Sequence, residues 1–174
     1  MSVKIDRNQE PRHQPGVAVV VGPSEGESYW QPVPANGFVR TLLNQANTGA
    51  SFDFSAGTQT VAPGCRVREH FHDDREEVIF ITEGEGVAIV DGIEHSLSPG
   101  ACLFLGKSRK HSFVSAGAQP LSFFWMLMPG GLDDFFRQIG RVRQPEDAAP
   151  EPFDRPADIE RIEANTVFGW TAKT

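Results

Sequence analysis

Two histidines one residue apart, His70 and His72, followed five positions later by Glu77, are the residues of this chain best placed to do chemistry. In an extended strand alternate side chains share a face, so imidazoles at i and i+2 point at one spot. Glu77 can join them only if the chain bends in between, and Asp73-Asp74-Arg75 has the composition of a turn. Two imidazoles and a carboxylate converging in this way predict a transition-metal site. A further ligand should come from a distant strand. His111, which opens the run His-Ser-Phe-Val eleven residues after Gly100, is the natural candidate.

Such a site needs rigid strands to hold it, and the chain is punctuated for strands. Glycine and proline recur at short intervals from about residue 17 to residue 131, which favours many short strands over helices. The predicted strands are Val17–Val21, Phe38–Leu43, Ser51–Phe54, Thr58–Val61, Val78–Thr82, Val87–Val90, Ile93–Leu97, Ala101–Leu105, His111–Ser115 and Leu121–Met128. Asp91-Gly92 between two of them is the clearest hairpin signal, because both residues suit the positive φ angles of a type I′ turn. Regularly spaced short strands imply an all-β sandwich or barrel. Past Pro129-Gly130-Gly131 the period changes. Leu132, Phe135, Phe136 and Ile139 mark one face of a short amphipathic helix that Gly140 would end. Residues 144–156 carry four prolines and read as an extended connector. A last short helix is expected from about Ala157 to Val167, with Ile159 and Ile162 inward and Gly169 ending it. The expected organisation is a flexible arm over residues 1–16, a β-barrel over 17–131, and a helical extension over 132–174.

Composition narrows the function classes. The 174 residues suffice for one domain with a real core, and 39% hydrophobic with 22% charged residues is ordinary for a globular protein. A net charge of −7 argues against nucleic acid, whose phosphates need a basic surface. The N-terminus lacks the apolar core of a secretory signal, and the longest apolar runs are far too short to span a bilayer. A small-molecule substrate, no membrane and a cytoplasmic location are therefore expected. Cys65 and Cys102 do not make a disulfide framework, and both read as small buried hydrophobes.

The spacing of these residues resembles that of the cupins, the double-stranded β-helix or jelly-roll family. Their first motif runs glycine, five residues, His-X-His, three or four residues, glutamate, six residues, glycine; Gly64, His70, His72, Glu77 and Gly84 match every fixed position. The six-residue gap to Gly84 prefers Glu77, with Glu76 as the fallback. In the second motif Gly100 and His111 match, whereas Gly106 stands for a proline, Ser108 for a glycine and Ser115 for an asparagine. The resemblance covers roughly residues 50–128. It implies a jelly-roll cupin barrel and a divalent ion (Fe, Mn, Ni, Co, Cu or Zn) held by His70, His72, Glu77 and His111. About two positions of an octahedral shell would stay open, which suits substrate or O2 better than a closed structural zinc. Cupins often pair through their sheets, so a homodimer is expected.

The remaining candidates are weighed against plain structural roles. Phe104, Phe113, Phe123 and Trp125 alternate along late strands and would line an apolar pocket or fill the core. Arg66 and Arg68 share the parity of His70 and His72, and on one continuous strand would face the interior with them. His95, beside Glu94 at the hairpin, should be exposed, and Cys102 buried. The helix at Leu132–Ile139 should cap the barrel or act as a lid. The leading expectation is a dioxygenase for an aromatic or enolic substrate, with Glu77 also able to act as a base. The Pro-Gly-Gly and Leu-Asp-Asp-Phe-Phe that follow the barrel are similar to the tails of quercetin-dioxygenase-like cupins. The alternatives are a metal-dependent isomerase, lyase or decarboxylase of a small acid or sugar, and a non-catalytic binder.

Overall fold

The computed structural model describes residues 16–168. Its strands are β1 (Glu27–Trp30), β2 (Phe38–Asn44), β3 (Ser55–Val61), β4 (Arg66–His70), β5 (Glu76–Glu83), β6 (Gly86–Val90), β7 (Ile93–Leu97), β8 (Cys102–Leu105), β9 (His111–Ser115), β10 (Leu121–Met128) and β11 (Arg141–Val142). Three short helices accompany them: α1 (Gln45–Thr48), α2 (Leu132–Ile139) and α3 (Ile159–Ala164). The strands form a seven-stranded sheet, β11-β1-β2-β3-β10-β5-β8, and a four-stranded sheet, β4-β9-β6-β7. All the pairings are antiparallel.

The core lies between the sheets, and β10 shows why. Leu121, Phe123, Trp125 and Leu127 are all buried while their alternates are only half-buried, so period-two patterning sends one row inward. Burial of each such side chain contributes roughly 1.5–3 kcal/mol. Ile79 and Ile81 of β5 and Phe113 of β9 meet this row from either side. Turn chemistry closes the sheets at defined points. Asp91 and Gly92 adopt φ of 48° and 82°, as the hairpin required. Gly84 is at φ 77°, and a Cβ there would stand 2.1 Å from the Pro120 carbonyl oxygen.

After the barrel, α2 lays Leu132, Phe135, Phe136 and Ile139 on the core, with the Phe136 ring 5.7 Å from Trp125. Gly140 ends it in extended rather than left-handed backbone, at φ −92°. Glycine is needed there because a Cβ would meet Tyr29 Cβ at 2.6 Å. The chain then pairs β11 with β1, runs through an irregular connector, and returns through α3 to the barrel mouth.

Two predicted strands are absent. Val17–Val21 is irregular, with Val17 77% and Val20 89% exposed, because no strand lies alongside to complete a ladder. Ser51–Phe54 follows α1, whose Asn44/Asn47 capping box and left-handed Gly49 redirect the chain away from the sheet. Conversely, β1 and β11 carry too short a pattern to be seen in the sequence. The last helix stops at Ala164, and Gly169 and all but Gly16 of the arm expected over residues 1–16 lie outside the described residues. Cys102 is exposed on edge strand β8, so it is no core residue. No helix among the described residues is long and apolar enough to cross a membrane.

Candidate metal centre

Four buried side chains converge between the sheets. His70 closes β4 and is the cross-strand partner of His111, which opens β9. His72 follows just beyond β4, and Glu77 enters from β5 in the opposite sheet. Their exposures are 4% for His70, 3% for His72, 4% for Glu77 and 1% for His111. Glu77 Oε2 stands 3.2 Å from His111 Nε2 and 3.8 Å from His72 Nε2. One ligand atom from each of the four lies within 4.8 Å of all the others. An ion with bonds of ~2.0–2.2 Å holds its ligand atoms no more than about 4.4 Å apart, so adjustments of tenths of an ångström would close this set. Glu76 is only half-buried and outside the cluster, so the six-residue spacing to Gly84 selected the carboxylate that faces inward.

The hydrogen bonds around the imidazoles orient them for coordination. Nδ1–H of His70 donates to the Arg68 carbonyl at 2.9 Å, that of His111 to Arg109 at 2.8 Å, and that of His72 to Val167 at 2.6 Å. Each ring is thereby fixed with Nε2 as the free lone pair, the arrangement in which a backbone carbonyl tunes a ligating histidine. Nε2 of His72 and His111 and Oε2 of Glu77 are buried without a hydrogen-bond partner. Buried polar atoms without partners are costly, and three of them converging on one point suit a bound cation. Burial holds the His70 imidazolium well below its ordinary pKa, and the neighbouring His111 and His72 push it the same way. Burial also lowers His72, against an opposing pull from Glu77. Both rings are thus neutral donors at pH 7. The donor set fits a divalent transition metal.

Beside the centre lies a cavity of about 50 Å³. Of the pocket candidates, Arg66, Arg68, Phe113 and Phe123 line it. Phe104 does not, being 65% exposed on the outer face of β8, and Trp125 is sealed in the core against Gly57 and Phe136. The shared parity of the arginines with the histidines also fails. A register shift between Val67 and His70 turns Val67 inward, leaving Arg66 exposed and Arg68 half-buried. His95 is exposed. The C-terminal segment supplies residues that motif spacing did not reach. Val167 holds His72, Phe168 stacks on His70, and Glu163 pairs with Arg68. Helix α2 caps this end of the barrel through Phe135, whose ring stacks on Phe168.

Comparison with known proteins agrees with this geometry. Residues 57–127 match the model of the cupin domain family, Cupin_2. The tetracenomycin polyketide synthase protein TcmJ of Streptomyces glaucescens is 30% identical over 93 residues, 53% of this chain and 62% of TcmJ. Quercetin 2,3-dioxygenase of Bacillus subtilis is 30% identical over 103 residues, 58% of this chain and 29% of that enzyme. This chain therefore spans less than two thirds of these curated relatives. The polyketide cyclase RemF of Streptomyces resistomycificus superposes with a TM-score of 0.56 at 20% identity, covering 76% of this chain and 88% of that structure. The match of residues 57–127 to the cupin domain, the strand order and the buried cluster agree on a cupin-type double-stranded β-helix.

Proposed function

We propose that the protein is a metal-dependent enzyme acting on a small aromatic or enolic substrate, and that its reaction is dioxygenation. The observation that carries this reading is the convergence of three imidazoles and one carboxylate at the edge of an aromatic-walled cavity. Similarity to a quercetin dioxygenase and to a polyketide synthase protein supports a planar, oxygen-rich substrate class. A bound divalent ion would supply Lewis acidity toward an enol oxygen and redox access to O2.

The chain's own residues do the rest. His70, His72 and His111 keep their lone pairs inward because their Nδ1–H groups are committed to carbonyls. Glu77 presents Oε2 at the same point and is the group placed to take the enol proton. Phe113, Phe123 and Phe135 exclude water from that proton transfer, which strengthens the local electrostatics.

Elemental analysis of the purified protein, followed by O2 uptake with quercetin and simpler enolic phenols, tests the proposal. A dioxygenase consumes one O2 per substrate, and His111→Ala should abolish uptake. Bound metal with no uptake from any such substrate would remove the dioxygenase reading. In that case the half-buried Arg68 on the cavity wall favours a second reading, a metal-dependent isomerase, lyase or decarboxylase of an acidic substrate.

A further inference from the structure

Phe168 lies in a slot with two parallel aromatic walls. One face of its ring stacks on His70, with 4.0 Å between centroids and 7° between planes. The other face stacks on Phe135 at 4.3 Å and 5°. The slot is therefore one ring thick. One wall is a metal-ligating imidazole at the end of β4, and the other is the apolar face of α2. The Arg68 guanidinium stands 4.8 Å from the centroid of the same ring, a favourable cation–π position.

Beside the atoms that converge on the metal centre, two buried donors at the slot lack partners. Gln31 is 4% exposed and lines the cavity; its Oε1 accepts from Gln59 Nε2 at 2.8 Å, while its own Nε2 has no partner. Nη1 of Arg68 is likewise buried without a partner. Arg68 and Arg155 share the single carboxylate of Glu163, so this rim carries one uncompensated positive charge. Leaving buried donors unmade is costly, and a ligand bearing acceptors would pair them. The cavity of about 50 Å³ left beside Phe168 holds little more than water, far below the ~300 Å³ at which ligand pockets begin.

We infer that Phe168 is a built-in occupant of a ligand subsite, and that the subsite takes a planar aromatic anion. The ligand's ring lies between His70 and Phe135, and its carboxylate, carbonyl or enolate oxygens face Gln31 Nε2 and Arg68 Nη1. This rests on the aromatic-substrate reading above and deepens it, because it states which ring plane and which acceptors are selected. Phe168 swings out while the Val167 carbonyl stays on His72 Nδ1, so the metal ligand keeps its partner during the exchange. A ligand must compete with the resident ring, and its apparent affinity falls by the fraction of time the slot is open.

The test uses 1-hydroxy-2-naphthoate and 1-naphthol, one bicycle with and without a carboxylate. Each is titrated calorimetrically into the full-length chain after chelation, and again after loading with Co(II). Phe168→Ala should bind the naphthoate about tenfold tighter than the unmodified chain in both states, since the competing ring is gone. Phe168→Leu, which keeps apolar fill and guards against misfolding, should shift it the same way by a smaller factor. Adding Arg68→Met to Phe168→Ala should weaken the naphthoate about tenfold and leave 1-naphthol within about twofold. In the unmodified chain, backbone hydrogen exchange at residues 165–168 should rise when the naphthoate saturates. Unchanged or weaker binding by both Phe168 variants, with native circular dichroism, overturns the inference, as does unchanged exchange at saturation. Equal losses of both probes on Arg68→Met overturn its anionic part. Metal content and O2 uptake are measured on the same samples. Tightening without bound metal would remove the enzyme reading and keep the subsite, whereas metal and uptake without tightening would remove the subsite alone.

Discussion

The three histidines of the centre are held by two different parts of the molecule. His70 and His111 each donate Nδ1–H to the carbonyl two residues earlier in their own segments. His72 donates to Val167, a residue 95 positions away in the C-terminal segment. The first two rings are oriented by local backbone once β4 and β9 have paired. The third is oriented only when that segment has docked on the barrel mouth. The barrel is a continuous core of Ile79, Ile81, Phe113, Phe123 and Trp125, whereas α3 buries Ile162, packs the partly buried Ile159 beside it and adds the Arg68–Glu163 ion pair. Local opening draws on regions with few buried apolar contacts. The centre therefore has a half oriented by the barrel alone and a half completed by the cover.

The sharpest way to break this comparison is to remove a ligand from the half oriented by the barrel. His111→Ala should cut metal affinity by more than about a hundredfold, beyond what losing an outer partner of a ligand costs. His95→Ala, exposed on β7, should leave occupancy unchanged, with both read by elemental analysis after dialysis. Equal effects would mean that the four-residue set is misassigned. Next in size is the difference in anchoring. Trp125→Ala, fully buried, should cost about 3–5 kcal/mol in urea denaturation. Ile162→Ala should cost about 2 kcal/mol, the low end for such truncations, because a single thin helix can settle over the gap. A cost for Ile162 equal to that for Trp125 would show that cover and barrel form one cooperative core.

The same division decides what the sequence revealed. β10 and α2 were legible to the residue because strict periods of two and of 3.6 place one face inward. The cluster of His70, His72, Glu77 and His111 was legible because motif spacing along β4, β5 and β9 maps onto one spot. The arginine parity failed because a bulge between Val67 and His70 inserts a shift that no side-chain pattern announces. Phe104 and Cys102 were misplaced because β8 is an edge strand, where hydrophobic residues can face outward without cost to the core. The cover was invisible for a different reason. Val167 acts through its carbonyl, which every residue possesses, and Phe168 acts through a stack with residues 98 and 33 positions away, His70 and Phe135.

Removing the cover from the centre gives the next effect. A chain ending after Thr166 lacks the Val167 carbonyl, so His72 loses the partner that fixes its tautomer. Metal affinity should fall about 10–100-fold, the usual consequence of deleting an outer-shell partner, while His70 and His111 still bind. Competition titration against a chelator measures this. Unchanged affinity would mean that water replaces the carbonyl fully and that the cover does not tune the centre.

The smallest effect sharpens the comparison from the barrel side. Ser108 stands where the second cupin motif has glycine, and it adopts φ 60°, the conformation that glycine would favour. Its N–H donates to the His72 carbonyl at 2.8 Å and its hydroxyl to that of Asp73 at 3.1 Å, so this loop also steadies the His72 segment. Ser108→Gly should relieve the left-handed strain, lose the hydroxyl bond, and leave a gain of about 0.5 kcal/mol. Ser108→Val should cost about 1–2 kcal/mol, since a β-branched residue tolerates positive φ poorly. Urea denaturation of the chelated protein reads both. If the glycine variant proved less stable than the chain with Ser108, the hydroxyl rather than the backbone would be what the loop requires. His72 would then depend on a side chain from the barrel as well as on a carbonyl from the cover.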